Sequence, residues 1–197
     1  ILAEKLNYLY IDSGAMYRAI TFELLKKGIK PNDTKKIVEI TSKADIKFEG
    51  EEVFLNGKNI TKEIRSLDVT SKVSSVSSIK DVRKILVSKQ RDYAKSNDVV
   101  MDGRDIGTVV FPNAKFKFFL VCDLKTRAAR RRQDFMEHGM KLPIEKIMAE
   151  LKKRDSVDSS RKESPLKKAK DAVEVNTTNM IIEEQVNYLF RIVSGLD

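Results

Sequence analysis

The sequence is short of the residues that most enzymes use for covalent or metal chemistry. Among its 197 residues there are one cysteine, Cys122, one histidine, His138, and no tryptophan. A single cysteine cannot form an internal disulfide, and Cys122, at the end of an apolar segment, is predicted to be a buried and inert thiol. His138 lies in a charged helix tail and is predicted to be a surface residue. These shortages exclude a metal site built from cysteines and histidines, and a catalytic triad could use only His138.

Long apolar runs are also absent. No segment approaches the roughly 20 apolar residues that cross a bilayer, and the chain does not start with a charged segment followed by an apolar one. We therefore expect a cytoplasmic protein with no membrane partner. We also expect a monomer. A hydrophobic content of 41% predicts one globular unit with a substantial core.

Positive charge is abundant and unevenly distributed. The formal net charge is +9, and the segment from Asp123 to Lys170 contains 15 lysines and arginines against 8 acidic residues, a net charge of +7. Such a concentration indicates a polyanionic partner. A nucleic acid and a nucleoside triphosphate both qualify, so charge alone does not decide between them.

Two segments place an arginine just beyond a predicted strand. Tyr8–Ile11 leads into Asp12–Arg18, and Val99–Met101 leads into Asp102–Thr108; each of these turns contains an acid, a glycine and an arginine. Open α/β sheets bind their ligands at the carboxyl ends of the strands, so these arginines are candidates for a binding site. For the arginine between two acids, a structural ion pair is the alternative.

A third segment, Arg154–Arg161, has the pattern RD-x-x-D-x-x-R. Together with DSGAMYR at Asp12–Arg18 and DGRDIGTVVFP at Asp102–Pro112, it makes the chain resemble the bacterial cytidylate kinases. These are nucleoside monophosphate kinases that phosphorylate CMP and dCMP with ATP. The resemblance runs from Ile1 to about Ile192, and three motifs in the right order are far more specific than any one of them.

The predicted elements favour an α/β fold. Strands alternating with helices predict a doubly wound parallel sheet, and Asn56-Gly57 is a strong hairpin signal that predicts a small antiparallel unit. The resemblance implies a P-loop kinase fold in which residues 35–78 are the insert that binds the monophosphate. Residues 1–34 and 79–197 would form the core domain, with a helical lid at about 124–163.

One part of the family pattern is not found. The sequence contains no G-x-x-x-x-G-K-[ST] phosphate loop, and its only Gly-Lys pair, Gly57-Lys58, continues with Asn59. Ile1–Leu6 resembles the end of the helix that follows this loop in the family, so we expect roughly 20 further residues upstream. On that expectation a chain beginning at Ile1 has no kinase activity and low stability.

Phosphoryl transfer requires phosphates held in line, with positive charge where negative charge accumulates. The resemblance implies that Arg18, Arg104 and Arg161 bind the phosphate of CMP. It also implies that Asp102 lies near the Mg²⁺ that arrives with ATP; no residue of this chain is assigned as a metal ligand. The alternatives are an exposed helix arginine for Arg18 and an ion pair between Asp102 and Arg104.

Asp105 and Arg83 are the residues expected to choose the base. Cytosine has an amino donor at N4 where uracil has a carbonyl, and a carboxylate accepts from the amino group but repels the carbonyl. Arg83 can donate to the acceptors of the ring. Without the resemblance, Arg83 would be interpreted as a solvated position on a charged helix.

The resemblance places three further residues, Ser74, Arg154 and Asp158, at the sugar, and Ser13 also reaches the nucleotide. Pro143 predicts a helix running to about Arg154. The alternatives are a helix-surface pair for Arg154 and Asp158, four residues apart, and a helix cap for Ser13.

The basic helix predicted at Leu124–Glu137, with Asp123 as its N-cap, carries Arg127, Arg130 and Arg131. They resemble the lid arginines that close over the phosphates of ATP. The alternative is a nucleic-acid-binding or merely solvated face.

Three other functions remain open at this point. A UMP kinase would share the same class of reaction. A basic nucleic-acid-binding protein is the second alternative. The basic segment of this chain lacks a set of aromatic residues interleaved for stacking on bases, so we expect no nucleic-acid partner. A chain without its phosphate loop could also be an inactive fragment.

Overall fold

A computed structural model of the protein describes residues 1–30, 32–137 and 139–196. The prediction that His138 is a surface residue falls outside the described residues. None of the helices in the described ranges is both long and apolar enough to cross a membrane.

Helices and strands alternate along most of the chain. The strands are β1 (Leu9–Asp12), β2 (Ile46–Glu49), β3 (Glu52–Leu55), β4 (Lys58–Asn59), β5 (Val99–Asp102), β6 (Phe118–Val121) and β7 (Val173–Asn176). The α-helices are α1 (Leu2–Leu6), α2 (Ser13–Lys26), α3 (Thr34–Lys43), α4 (Leu67–Ser77), α5 (Lys80–Tyr93), α6 (Leu124–Glu137), α7 (Ile144–Ser160) and α8 (Ile182–Ser194). A 3-10 turn at Glu63–Arg65 and a π-helical turn at Ile106–Val110 complete the described elements.

The strands that alternate with helices pair in parallel. β1 pairs with β5, and β6 pairs with β7. In the described part of the chain these pairs form two separate two-stranded sheets. Parallel strands joined through helices confirm the predicted α/β class.

The antiparallel unit lies within residues 35–78, where β2, β3 and β4 form a three-stranded sheet. Its second turn contains Asn56 and Gly57, whose φ angles are +51° and +77°. Positive φ at both positions is the geometry that a two-residue hairpin requires, so the hairpin predicted from this dipeptide is confirmed.

The main hydrophobic core joins this antiparallel unit to the parallel strands. Ile11 of β1 and Ile20 of α2 belong to the same buried cluster as Ile37, Val53 and Val73, which come from α3, β3 and α4. Residues 35–78 therefore share their core with the rest of the chain.

Helices α6 and α7 pack on each other around a smaller core of their own, formed by Ala128, Phe135 and Ile147. Asp123 accepts hydrogen bonds from the main-chain N–H and the hydroxyl of Thr126, at 2.8 and 2.6 Å. It therefore caps α6, as predicted.

One predicted helix boundary is wrong. Helix α7 continues past Arg154 to Ser160, because its last turns carry side chains that pack into a polar cluster, which an apolar periodicity does not reveal. Helix α2 begins at Ser13, because Asp12 caps it by accepting from the N–H of Ala15 at 2.8 Å.

Candidate active site

The carboxyl ends of β1 and β5 lie side by side, since Asp12 is the register partner of Asp102. One oxygen of Asp12 caps α2, and the other accepts from Nη2 of Arg18 at 2.6 Å. The strand end therefore fixes Arg18 at this edge, with its side chain only 22% exposed. The side chain of Arg18 is therefore fixed by its ion pair with Asp12 and is not freely solvated.

Ser13 joins the two strand ends. Its hydroxyl donates to the main-chain oxygen of Asp102 at 2.7 Å, so the interpretation of Ser13 as the helix cap is wrong; Asp12 has that role. A Cβ on Gly103 would lie 2.2 Å from Oγ of Ser13. Only glycine permits this close approach, which brings the two turns together.

A buried carboxylate surrounded by three arginines forms the next part of the site. Asp158 is 4% exposed. Its Oδ2 lies 3.1 Å from Nε of Arg104 and 3.7 Å from Nε of Arg154, and its Oδ1 lies 3.5 Å from Nη1 of Arg161. We call these four residues the arginine group. Because Asp158 is buried and also contacts Arg104 and Arg161, a simple helix-surface pair between Arg154 and Asp158 is excluded. Three positive charges against one negative charge leave an excess of two.

The arginine group presents buried donors. Burial lowers the pKa of Arg154 to about 10, with the positive charge of Arg104 adding to this effect, and the residue stays protonated at neutral pH. Nε and Nη2 of Arg161 and Nε of Arg18 are buried and have no hydrogen-bond partner in the described part of the chain. Buried donors without acceptors are costly, and guanidinium N–H groups match the oxygens of a phosphate.

Arg83 and Asp105 form an ion pair in which each residue is 5% exposed. Arg83 also donates from Nη1 to the main-chain oxygen of Ser77 at 3.2 Å, and its guanidinium lies 5.4 Å from the centre of the Tyr17 ring. The interpretation of Arg83 as a solvated helix position is therefore wrong.

The Arg83–Asp105 pair lies beside the arginine group. Burial and then the positive charge of Arg83 lower the pKa of Arg161, while Asp105 acts in the opposite direction. Burial raises the pKa of Tyr17 to about 12, so its hydroxyl is neutral in this polar cluster. The buried Arg83–Asp105 pair and the arginine group are thus neighbours.

Asp102 completes the edge of the sheet. It accepts a hydrogen bond from the hydroxyl of Tyr10 at 3.0 Å. The ion pair of Arg104 is made with Asp158, so the expected alternative of an Asp102–Arg104 ion pair is wrong. Desolvation, and then the negative charge of Asp12, raise the pKa of Asp102 to about 6. Asp102 is an exposed residue, so solvent reduces the cost of its charge.

Comparison with known proteins identifies the family. The model of the family described as cytidylate kinase matches residues 1–194. A cytidylate kinase of Caldanaerobacter subterraneus subsp. tengcongensis is 49% identical over 189 residues, which are 96% of this chain and 84% of the relative. The cytidylate kinases of Leuconostoc mesenteroides and Pediococcus pentosaceus are 47% and 46% identical over 199 residues, which are 99% of this chain and 89% and 88% of the relatives.

The chain belongs to the cytidylate kinase family. This match confirms the resemblance drawn from the three motifs. The family consists of ATP-dependent kinases. The structure also shows which of the residues expected for such a kinase lie together. They are Ser13, Arg18, Arg83, Asp102, Arg104, Asp105, Arg154, Asp158 and Arg161.

Only one of the three arginines expected in the lid of a cytidylate kinase lies close to this group. Arg131, whose guanidinium is 4.7 Å from the centre of the Phe135 ring, is near enough to Arg18 for their like charges to interact. Arg127 donates twice to Asp155, at 2.6 and 3.0 Å.

Arg130 contacts residues outside this group. Its Nη2 donates to the main-chain oxygens of Thr177 and Met180, at 2.8 and 2.9 Å, and its Nη1 lies 3.6 Å from Sγ of Cys122. Cys122 itself is half-buried rather than fully buried. Ser74 is half-buried on α4, and its main-chain oxygen accepts from the hydroxyl of Ser77 and from the N–H of Ser78.

Sequence reasoning missed Asp12, Tyr10 and Tyr17 as parts of the site. Asp12 and Tyr17 lie within the DSGAMYR motif, and their position could have indicated them. Tyr10 reaches Asp102 across 92 positions of sequence, and no local pattern signals such a contact.

A cytidylate kinase also uses a divalent metal ion with ATP. In the ranges that the structure describes, no group of three or more acidic, histidine or cysteine residues could hold an ion by itself. A magnesium ion that arrives on phosphate oxygens needs only one or two protein carboxylates. The neighbouring carboxylates of Asp12 and Asp102 fit that requirement.

The Asp102→Asn variant is expected to be more stable than the wild type at pH 8 and not at pH 4. A carboxyl group whose pKa is raised in the folded state costs stability when it is ionised, above about pH 6. The cost disappears below its ordinary pKa near 4, where folded and unfolded chains both hold the proton. A shift of this size corresponds to about 3 kcal/mol in an enclosed site, and solvent at the exposed edge reduces it to about 1 kcal/mol.

Urea unfolding of both proteins at the two pH values, with EDTA present, measures this difference. Asp98→Asn is the matched control, because Asp98 is exposed and lies just before the same strand. Equal unfolding free energies of wild type and Asp102→Asn at pH 8 would contradict the raised pKa.

Proposed function

We propose that the protein transfers the γ-phosphoryl group of ATP to CMP or dCMP, giving CDP or dCDP and ADP. The observation that carries this proposal is the juxtaposition of the buried Arg83–Asp105 pair with the arginine group. Membership of the cytidylate kinase family supports it. Neither the family match nor the relatives support a UMP kinase or a nucleic-acid-binding protein.

In this proposal the phosphate of CMP is bound by Arg18, Arg104 and Arg161. Their guanidinium groups can each make two parallel hydrogen bonds to phosphate oxygens, which orients the acceptor oxygen toward ATP. The same positive charges oppose the negative charge that accumulates during transfer. The transferred group itself needs no covalent help from the protein.

The base is read by Arg83 and Asp105. Asp105 has one carboxylate oxygen on Arg83, which leaves oxygen lone pairs able to accept from the N4 amino group of cytosine. Uracil would instead bring its O4 carbonyl against the carboxylate, so two acceptors would face each other without a proton. Ser13, Ser74, Arg154 and Asp158 are proposed to contact the rest of the nucleoside.

We also assign roles to the metal ion, the lid and the insert. Magnesium, bound with ATP, would neutralise charge on the transferring phosphate, and Asp102 is the carboxylate that we expect near it. Arg127, Arg130 and Arg131 are proposed to act in a lid at about 124–163, and residues 35–78 to be the insert that binds the monophosphate. We also propose a monomeric, cytoplasmic enzyme.

The test is the choice of acceptor. Protein expressed from the complete gene should use CMP and dCMP with kcat/KM about 100-fold higher than UMP, because an unpaired buried acceptor costs about 1–3 kcal/mol. Asp105→Asn should narrow that gap, since its amide can accept from Arg83 while donating to O4 of uracil. Asp105→Ala should narrow it as well.

A coupled assay of ADP release measures kcat/KM for CMP, dCMP and UMP. Asp92→Ala is the control, because Asp92 lies on α5 in an exposed pair with Lys95; this variant should keep the wild-type preference. Similar kcat/KM values for CMP and UMP in the wild type would refute the assignment of cytosine as the base.

A further inference from the structure

Helix α5 contacts the loop after β5 at two points. Arg83 pairs with the side chain of Asp105 near the start of the loop. Arg91, about 12 Å further along the helix axis, donates from Nε to the oxygen of Val110 at 2.9 Å and from Nη2 to the oxygen of Val109 at 2.7 Å. One helix therefore holds both ends of the same short segment.

The two residues whose carbonyl oxygens Arg91 contacts, Val109 and Val110, are bonded in turn to Asp105 through their own N–H groups. The main-chain oxygen of Asp105 accepts from the N–H of Val109 at 2.8 Å and from the N–H of Val110 at 3.3 Å. Val109 and Val110 belong to the π-helical turn, a conformation that is rare and frequent at functional sites. A shift of the Val109 and Val110 peptides would therefore move the main chain of Asp105.

We propose that Arg91 is a positioning residue that fixes the Asp105 carboxylate and thereby sets the discrimination between cytosine and uracil bases. Arg91 acts through the loop, since its described hydrogen bonds go to main-chain oxygens. The inference rests on the proposed function, because it uses Asp105 as the group that reads the base.

The guanidinium of Arg91 is suited to this role. Its donors are fixed in one plane, so two neighbouring carbonyl oxygens are held at a set separation, whereas a lysine ammonium would hold one oxygen through a flexible stem. Base discrimination depends on the exact place of Asp105, and a misplacement of about 1 Å can lower a rate about 100-fold. Loosening the loop should therefore harm the use of CMP more than the use of UMP, which gains nothing from Asp105.

The experiment compares Arg91→Ala and Arg91→Lys with the wild type, using protein expressed from the complete gene. We expect Arg91→Ala to lower the CMP-to-UMP ratio of kcat/KM about tenfold, with KM for ATP unchanged, and Arg91→Lys to fall between it and the wild type. Lys84→Ala on the same helix, which removes an exposed cation paired with Asp81, should keep the wild-type ratio.

The CMP-to-UMP ratio distinguishes a positioning role of Arg91 from a structural one. A loss of melting temperature with an unchanged CMP-to-UMP ratio would show that Arg91 is merely structural and would overturn the inference. If Arg91→Ala does not fold, Arg91→Gln, which can donate to one carbonyl, is judged by the same ratio. A wild type that does not prefer CMP refutes the proposed function, whereas a preference that survives in the Arg91 variants refutes only the positioning role.

Discussion

Arg18→Met and Arg104→Met are each expected to lower kcat/KM for CMP by about 1,000-fold while leaving KM for ATP almost unchanged. Removing one charge-assisted contact that strengthens in the transition state costs about 3–4 kcal/mol. Methionine keeps much of the length and apolar stem of arginine, so the loss reports the guanidinium. Arg18 is held by Asp12, and Arg104 by Asp158, so both are already oriented before a substrate binds.

Steady-state kinetics with CMP and ATP varied separately measure these losses. Arg132→Met is the matched control, because Arg132 is an exposed arginine of the basic helix α6; this variant should behave as the wild type. Near-normal turnover of either Arg18→Met or Arg104→Met would show that the arginine is structural and that the phosphate binds elsewhere.

Asp158→Asn is expected to lower the free energy of unfolding by about 3 kcal/mol. The substitution leaves three guanidinium groups close together without the carboxylate that they share, and breaking a buried ion pair by removing one partner costs about 3–5 kcal/mol. Asp158 and Arg161 are 5% and 8% exposed at their side chains, whereas Arg104 is 39% exposed, so partial screening by solvent places the loss at the lower end of that range. Urea unfolding at pH 7 measures the loss.

Unfolding in the presence of inorganic phosphate gives a second measurement. Phosphate should stabilise Asp158→Asn more than it stabilises the wild type, because an added anion can replace the missing carboxylate. Glu163→Gln is the control, since Glu163 pairs with Lys80 at the surface and its loss should cost less than about 1 kcal/mol. Equal stability of Asp158→Asn and Glu163→Gln would show that the arginine group does not depend on its central carboxylate.

Much of the fold could be predicted from local patterns. The hairpin at Asn56-Gly57 follows from residues that tolerate positive φ, and the start of α6 follows from the capping side chain of Asp123. The end of α7 could not be predicted in this way. Its last turns carry Asp158, a charged residue that is buried only because arginines from β5's loop and from its own helix surround it.

The candidate site shows the same division. The three motifs indicated most of the residues that the structure brings together, because each motif places its side chains at the end of a strand or helix. Contacts between distant segments gave no sequence signal. Examples are the hydroxyl of Tyr10 on Asp102 and the two bonds from Arg91 to the loop after β5. The packing of Arg127 against Asp155 was missed for the same reason.

The carboxylate at the centre of the arginine group has a consequence for turnover. A pocket of three arginines alone would hold a nucleoside diphosphate more tightly than the monophosphate from which it is made, since the product carries more negative charge. Release of product would then limit the rate. Asp158 lies against all three arginines, so a phosphate bound as we propose would share these guanidinium groups with a fixed carboxylate. We expect this sharing to weaken the binding of the more highly charged diphosphate and so to favour its release.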